Sequence, residues 1–187
     1  QGGSLAALYA PDPPAGSAYV RVVYSGEAPI DVLFGSSSVS LRLPQVASGA
    51  LASAYRVVSA SQPPRLHVNG KPLVGASQPT AGSFVTWAIT ADASGGTAVS
   101  VVSDELPAPN ALRAVLRLTN LVVGCNASLA QSMGGDVFSG LQTGQSKARL
   151  IQPARVNLVV RCGQATSAPF ALPILQVGDR YSLFIVG

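Results

Sequence analysis

Few residues in this chain are suited to acid–base or nucleophilic chemistry. His67 is the only histidine, so a Ser–His–Asp triad would have to use it as the base. The sequence contains no G-x-S-x-G motif, and the nearest string, GSSSV from Gly35, lacks the second glycine. His67 lies on one arm of a predicted hairpin, and an ordinary strand histidine is the preferred interpretation. We therefore assign no catalytic residue.

Metal and cofactor chemistry also lacks a recognisable ligand pattern. One histidine and two cysteines do not supply a tetrahedral zinc site. The acidic residues lack the D-x-D-x-D-G spacing of a calcium loop, and there is no phosphate-binding or dinucleotide-binding motif. Asp104 and Glu105 are adjacent, but they lie beside a predicted linker, where we expect solvent exposure. Paired carboxylates for glycoside hydrolysis stay open, because the fold decides their separation.

The two cysteines occur in the second half of the chain. Period-2 alternation places Cys125 on the apolar side of a strand predicted from Leu121 to Leu129, and Cys162 on the apolar side of another from Arg155. We predict a Cys125–Cys162 disulfide joining facing strands across a sandwich, which would stabilise the fold by roughly 4 kcal/mol. An oxidising compartment would follow. The alternative is a pair of reduced thiols in the core.

A long internal repeat indicates how these residues are positioned. The strand Ser17–Tyr24 and the segment Ala111–Thr119 can be overlaid so that Arg21 falls on Arg117, an offset of 96. At a similar offset, GSFVTWAI falls on GDRYSLFIV. A period this long is typical of a duplicated domain, since solenoid units repeat every 20–50 residues or so.

The pattern predicts an all-β protein made of two tandem antiparallel β-sandwich domains, Ig-like or jelly-roll-like. Short strands recur with turn residues between them, and no helical periodicity extends beyond two turns. We expect an extended proline-rich leader at 1–16, a first sandwich at 17–104, a linker at 105–110 and a second sandwich at 111–187. Asn69-Gly70 predicts a type I′ hairpin turn, and TAVSVV is expected to add an edge strand.

The aromatic and basic residues divide between core and surface. Trp87, in FVTWAIT, is expected to lie in the core and not to form a sugar-stacking platform. Arginines on the strand faces opposite the apolar side chains form a candidate interaction surface with an aromatic of the leader. Its members are Tyr9, Arg21, Arg113, Arg117, Arg155 and Arg161.

Charge narrows the class of partner. Charged residues are 11% of the chain, and the net charge is +4. Residues 105–187 carry seven basic and three acidic side chains, which accounts for the whole excess. This excess would suit an acidic protein or an anionic polysaccharide, but it is too small for nucleic acid. A few solvated arginines are the alternative. No apolar run approaches the roughly 18 residues of a membrane span.

The run LYAPDPPAGSAYVRV, from Leu8 to Val22, followed by SGEAPIDVLFG, resembles the mature start of the AlgF family of alginate biosynthesis. It is equally similar to WssG, the sibling family of acetylated-cellulose operons. The resemblance implies a periplasmic accessory protein, with its signal peptide removed, that is required for O-acetylation of an exopolysaccharide. In such systems separate acetyltransferase proteins transfer the acetyl group. The part VRVVYSGEAPIDV also resembles a bacterial surface β-sandwich repeat of unknown function.

We therefore expect a non-enzymatic adaptor that needs no cofactor and contacts periplasmic or membrane acetyltransferase proteins. A carbohydrate-binding module that presents the exopolysaccharide is the first alternative. An acetylesterase or acetyltransferase working through His67, and a structural cell-surface protein, are the others. Glycan titration, a His67→Ala variant and pull-down of acetyltransferases would separate these hypotheses.

Overall fold

The computed structural model describes residues 12–25, 31–34, 40–42, 52–62, 65–91, 96–104, 112–152 and 154–186. These residues form β-strands and connecting turns, without an α-helix. The strands of the first half are β1 Ser17–Tyr24, β2 Asp31–Phe34, β3 Ser40–Arg42, β4 Arg56–Ser59, β5 Leu66–Val68, β6 Lys71–Pro72, β7 Phe84–Ala91 and β8 Thr97–Ser103. Those of the second half are β9 Ala114–Asn120, β10 Ala127–Gln131, β11 Asp136–Leu141, β12 Ser146–Ile151, β13 Asn157–Cys162, β14 Ala165–Thr166, β15 Phe170–Ala171 and β16 Arg180–Ile185.

The strands of each half form two sheets. In the first half one sheet has the order β4-β1-β7-β8 and the other β3-β2-β5-β6. In the second half the orders are β12-β9-β16 and β11-β10-β13-β14, with β15 also pairing β13. We call β4-β1-β7-β8 and β12-β9-β16 the inner sheets and the other two the outer sheets. The all-β prediction is confirmed, and β8 is the edge strand expected from TAVSVV.

The first and last long strands of each half lie side by side in parallel. Arg21 is opposite Thr86 in the β1–β7 pair, and Arg117 is opposite Ser182 in the β9–β16 pair. The prediction of purely antiparallel sheets is wrong for these pairs, because alternation reports the faces of a strand and not the direction of its neighbour. Both halves share this arrangement. Their origin by duplication, and the boundaries at 17–104 and 111–187, stay predictions.

A hydrophobic core fills the space between the inner and outer sheet of each half. Trp87 is fully buried in the first core, as predicted, in a cluster that includes Val20 of β1 and Val32 of β2. The second core joins leucines of β9 to residues of the outer sheet, including Leu129 and Phe138. Burying these apolar side chains is the main favourable term that holds each sandwich together.

The two inner sheets face each other. Every residue of β9 is buried, and side chains alternate between the faces of a strand, so β9 is covered on both faces. Val23 of β1, Ala88 of β7 and Leu121 after β9 form a small apolar cluster between the halves. The described molecule therefore has four layers, with the two inner sheets in the middle.

Two hairpins occupy corresponding places in the outer sheets. Asn69 and Gly70 join β5 to β6 with φ values of 50° and 77°, and two left-handed residues confirm the predicted type I′ turn. Gly163 and Gln164 join β13 to β14, where only Gly163 has a positive φ, of 60°. This is the pattern of a type II′ turn, which was not predicted from the sequence.

The predicted disulfide is present, but its position differs from the prediction. Cys125 and Cys162 are bonded, with their Cα atoms 5.6 Å apart. Cys162 ends β13 and lies opposite Ala127 of β10, so the bond joins neighbouring chain segments within one outer sheet and does not cross the sandwich. The strand predicted from Leu121 begins only at Ala127, since a turn with Gly124 at a φ of 73° precedes it. A disulfide-bonded pair is compatible with an oxidising compartment.

Candidate functional site

The principal polar cluster of the described residues lies between the two inner sheets and centres on Asp104. This residue directly follows β8 and is only 5% exposed, so the predicted solvent exposure is wrong. Its Oδ2 accepts hydrogen bonds from Tyr55 Oη at 2.7 Å and from Thr86 Oγ1. A buried carboxylate requires such partners, because burying a charge without them is strongly unfavourable.

Arginines from both halves reach the other oxygen of the same carboxylate. Arg21 Nη2 of β1 is 3.4 Å from Asp104 Oδ1, and Arg117 Nε of β9 is 3.7 Å from it. Arg21 and Arg117 are the pair that the sequence repeat aligned, and we call this arrangement the Arg21–Asp104–Arg117 clamp. Both were predicted to lie on the surface, and this is wrong. The strand face that points away from one core points toward the other half.

Further contacts orient the two guanidinium groups. Arg21 donates from Nε to Thr86 Oγ1 at 2.8 Å and from Nη2 to Ser182 Oγ of β16 at 3.1 Å. Its Cζ lies 4.9 Å from the ring centroid of Tyr55 and 5.2 Å from that of Phe184, within the range of cation–π attraction. These contacts hold one arginine of the first half against side chains of both halves.

Arg117 makes the corresponding contacts from the second half. Its Nη1 donates to the backbone oxygen of Ser103 at 3.0 Å and to Ser146 Oγ at 3.3 Å. Arg117 is 5% exposed, so these acceptors replace water around its charge. Arg117 therefore contacts two successive residues at the end of β8, Ser103 by a hydrogen bond and Asp104 by an ion pair.

Tyr55 serves the cluster as a neutral donor. Burial raises the pKa of its phenol, the negative charge of Asp104 raises it further, and the positive charge of Arg21 opposes these effects. The phenol therefore keeps its proton well into the alkaline range. Each Asp104 oxygen already faces two partners, so the arrangement is suited to holding the halves together.

The remaining members of the predicted interaction surface are dispersed. Arg113 and Arg155 are exposed. Arg161 is half exposed and pairs with Asp136 at 3.2 Å. Tyr9 lies outside the described residues, as does Glu105. The structure thus brings Arg21 and Arg117 together and does not join the others to them in one stripe.

His67 has the environment of an ordinary strand histidine. It is half buried on β5, opposite Leu33 of β2. Among the described residues its Nδ1 has no hydrogen-bond partner, so no serine or acid is held beside that atom as a catalytic triad would require.

A cleft of about 660 Å³ opens beside the clamp. The segment 77–85, which precedes and begins β7, forms one wall, and Val101, Ser103 and Asp104 form the other. Its lining combines hydroxyl and amide groups from Ser77, Gln78, Thr80 and Ser83 with apolar side chains, including Phe84. Arg21 and Arg117 were among the predicted interaction residues, whereas Tyr55, Thr86, the role of Asp104 and the cleft were missed because their partners come from distant strands. The available signal was a polar residue, Thr86, inside an otherwise apolar strand.

In the described part of the chain, no group of three or more His, Cys, Asp or Glu residues is arranged to hold a metal ion. Nor does that part contain a helix of the length and apolarity needed to cross a membrane. The sequence matches no protein-family model and has no significant match among curated proteins.

Proposed function

We propose that this chain is a non-catalytic periplasmic adaptor required for O-acetylation of an exopolysaccharide, alginate or cellulose. It would hold acetyltransferase proteins through its outer surfaces. The observation that carries the proposal is the Arg21–Asp104–Arg117 clamp. An adaptor must keep its contact surfaces in a fixed relative position, and a buried carboxylate shared by both halves does this.

The sequence supplies the biological setting of the proposal. The leader and first strand, Leu8–Val22, resemble the accessory family of alginate and cellulose acetylation. The disulfide between Cys125 and Cys162 fits an exported protein. The excess positive charge of residues 105–187 favours an acidic partner.

Complementation tests the proposal directly. A bacterium that acetylates alginate or cellulose, and lacks its own accessory protein, receives this chain, and the polymer's acetyl content is measured by NMR. We expect the wild-type chain to restore acetylation and to co-purify with the acetyltransferase. Asp104→Ala should restore little, because the halves lose their fixed arrangement.

His67→Ala is the matched control for an enzymatic role. This variant should restore acetylation as fully as the wild type. If it folds normally but abolishes acetylation, the adaptor proposal fails and a catalytic role for His67 takes its place. Failure of the wild-type chain in both the alginate and the cellulose host would also contradict the proposal.

A second candidate function, binding the polysaccharide itself, is favoured by the cleft beside Asp104. Its size, about 660 Å³, and its hydroxyl and amide lining suit a sugar unit, which is held mainly by hydrogen bonds. Calorimetric titration with alginate or cellulose oligosaccharides tests this function. Millimolar or tighter binding that is lost in Gln78→Ala or Thr80→Ala would favour it.

A further inference from the structure

The two inner sheets are completed differently at corresponding edges. In the first half β7 lies between β1 and β8. In the second half β16 takes the place of β7, since both strands pair in parallel with the first strand of their half at the same spacing of 65 residues. Within the described residues, β9 is the only strand that pairs with β16. One edge of β16 therefore has no strand beside it in that part of the chain.

The hydrogen bonds of β9 identify the backbone groups on that edge. Val115 N donates to Asp179 O, and Leu121 N donates to Ile185 O. In a parallel ladder, alternate residues of a strand point both backbone groups to the same neighbour. The odd-numbered residues of β16 thus face β9, and the N–H and C=O groups of Ser182 and Phe184 point to the open edge.

Apolar side chains of β16 are correspondingly less covered than those of β7. Tyr181, Leu183 and Phe184 are only half buried, whereas every residue from Val85 to Thr90 of β7 is buried. The difference follows from the neighbouring strand, because β8 covers the side of β7 and the described residues place nothing comparable beside β16.

The other inner sheet shows what lies above this open position. Arg21 of β1 contacts Ser182 and Phe184 of β16, while Arg117 of β9 contacts the end of β8. The order β12-β9-β16 therefore runs across β8-β7-β1-β4, and the next position after β16 lies over β4. Val57 of β4 shares a strand face with Tyr19 and Arg21, which point toward the second half. It is nevertheless 49% exposed.

We propose that the open edge of β16 binds one extended strand of a partner protein, which pairs with Ser182 and Phe184 and packs under Val57. This is β-strand addition, in which backbone hydrogen bonds supply affinity and alternate side chains supply specificity. The inference stands independently of the exopolysaccharide proposal.

The chemistry of the occupant follows from β8, which fills the corresponding position in the first half. Val99 of β8 packs on the first core, and Val102 on the other face of the strand is buried. The bound segment should likewise carry β-branched or small apolar residues on both faces, one face toward Leu183 and the other toward Val57. Arg180 is exposed at the start of β16, on the strand face of Ser182, so an acidic residue in the segment would be favoured.

A second copy of this chain does not fit the same position. In any copy, β16 is covered by its own β1, as the contacts of Arg21 with Ser182 and Phe184 show. If a second β16 entered the open position, its β1 would occupy the space of the first copy's β4. The occupant is therefore a single strand without a second layer on that face, such as an extended tail or loop.

Amide hydrogen exchange of the full chain is the first test. In the free monomer, the amides of Ser182 and Phe184 should exchange rapidly, and those of Thr86 and Ala88, which occupy the corresponding places in β7, should be protected. Leu183, whose amide faces β9, is the internal control. Protection of Ser182 and Phe184 in the free monomer would overturn the proposal, since the chain would then cover its own edge.

A peptide copying β8, GTAVSVVSD (Gly96–Asp104), is the probe for binding. We expect saturable binding by calorimetry and new protection of the Ser182 and Phe184 amides. In β8 the amides of Ala98 and Ser100 face β7, because Asp104 N donates to Phe84 O and the ladder alternates from there. Peptide N-methylated at these positions should lose binding, and peptide N-methylated at Val99 and Val101 should keep it.

Proline substitutions in the full chain provide a matched pair. Ser182→Pro removes an outward amide of β16, and Ala148→Pro removes an outward amide of β12 at the opposite edge of the same sheet. Ser182→Pro should weaken peptide binding by about tenfold or more, the loss expected when backbone hydrogen bonds of the added strand are removed. Ala148→Pro should leave binding unchanged.

Equal binding of both N-methylated peptides would overturn the proposal, even if Ser182→Pro fails to fold. Concentration-dependent dimerisation that protects the β16 edge would replace the partner strand with a second copy. If the chain restores polymer acetylation but its β16 edge binds no strand, only the inference about β16 is refuted. If the chain has no effect on acetylation but its β16 edge binds the peptide, only the proposed function is refuted.

Discussion

The two inner sheets follow the same strand plan and differ in one strand. In the first half β8 covers β7, and the residue that follows it, Asp104, receives Arg21 and Arg117. The described second half has no strand in the place of β8, and its corresponding strand, β16, has apolar side chains that are only half buried. A single added strand thus does two things. It completes one sheet, and it provides the carboxylate that joins the sheet to its neighbour.

The outer sheets differ in a complementary way. The second half contains the disulfide between Cys125 and Cys162, and both cysteines of the chain lie there. The first half depends on its apolar core, in which Trp87 is the largest fully buried side chain. Both halves therefore have an apolar core, and the second adds a disulfide to it, so substitutions should affect the halves by different amounts.

Removing the carboxylate of Asp104 should cause the largest loss of stability, because it breaks the Arg21–Asp104–Arg117 clamp between the halves. Asp104→Ala leaves the buried charges of Arg21 and Arg117 without their partner, which should lower the free energy of unfolding by about 3–5 kcal/mol. Asp136→Ala is the control, because it breaks the exposed pair with Arg161 and should cost no more than about 1 kcal/mol. Urea unfolding compares them, and equal losses would contradict a clamping role for Asp104.

Breaking the disulfide should sharpen the comparison by weakening only the second half. The cysteines are 37 residues apart in sequence, and a loop of that length is worth roughly 4 kcal/mol on the chain-entropy model. Hydrogen exchange of the Cys125→Ala, Cys162→Ala double variant should show faster opening of β10 and β13, with β5 and β7 little changed. A uniform increase across both halves would instead indicate one cooperative unit.

Tyr55→Phe should weaken the joint moderately and alter its pH dependence. Losing the hydrogen bond to the Asp104 carboxylate should cost about 2 kcal/mol. Because the folded protein raises the pKa of Tyr55, this residue stabilises the fold fully below its unfolded pKa of about 10 and loses that contribution as pH rises further. Unfolding free energies measured from pH 8 to 11 should therefore fall less steeply for the variant. An unchanged slope would contradict this assignment.

The hairpin turns should give the smallest effects and compare the outer sheets. Gly70→Ala and Gly163→Ala each place a side chain at a positive φ, of 77° and 60°, and should cost about 1–2 kcal/mol. Thermal unfolding should show the larger loss for Gly163→Ala, because the first central residue of a type II′ turn lies outside the left-handed helical region that alanine can enter. A loss at Gly163 no larger than that at Gly70 would contradict the type II′ assignment.

The sequence predicted the elements better than their arrangement. Strand alternation and the Asn69-Gly70 turn are local properties, so the all-β class, the hairpin and the burial of Trp87 could be derived from them. The parallel pairing of β1 with β7 could not, because it joins residues 65 positions apart and strand alternation does not report which strands pair or in which direction.

The same limit explains the errors at the site. Alternation correctly placed Arg21 and Arg117 opposite the apolar core, but it carries no information about a second sandwich covering that face. Asp104 was judged from its neighbours in sequence, near the prolines of the predicted linker, whereas its partners come from β1, β7 and β9. The pairing of the two cysteines was predicted correctly. Their position was not, because the turn at Gly124 delays the start of β10 and the bond therefore lies within one sheet.

The clamp does not require a peptide bond between the halves. Arg117 meets Asp104 through space, and Phe184 packs on the apolar cluster that joins Val23 and Ala88 to Leu121. Two fragments produced separately, one ending at Asp104 and the other beginning at Leu112, would carry complementary faces and should reassemble when mixed. A protease acting between them would then nick the molecule without dismantling it.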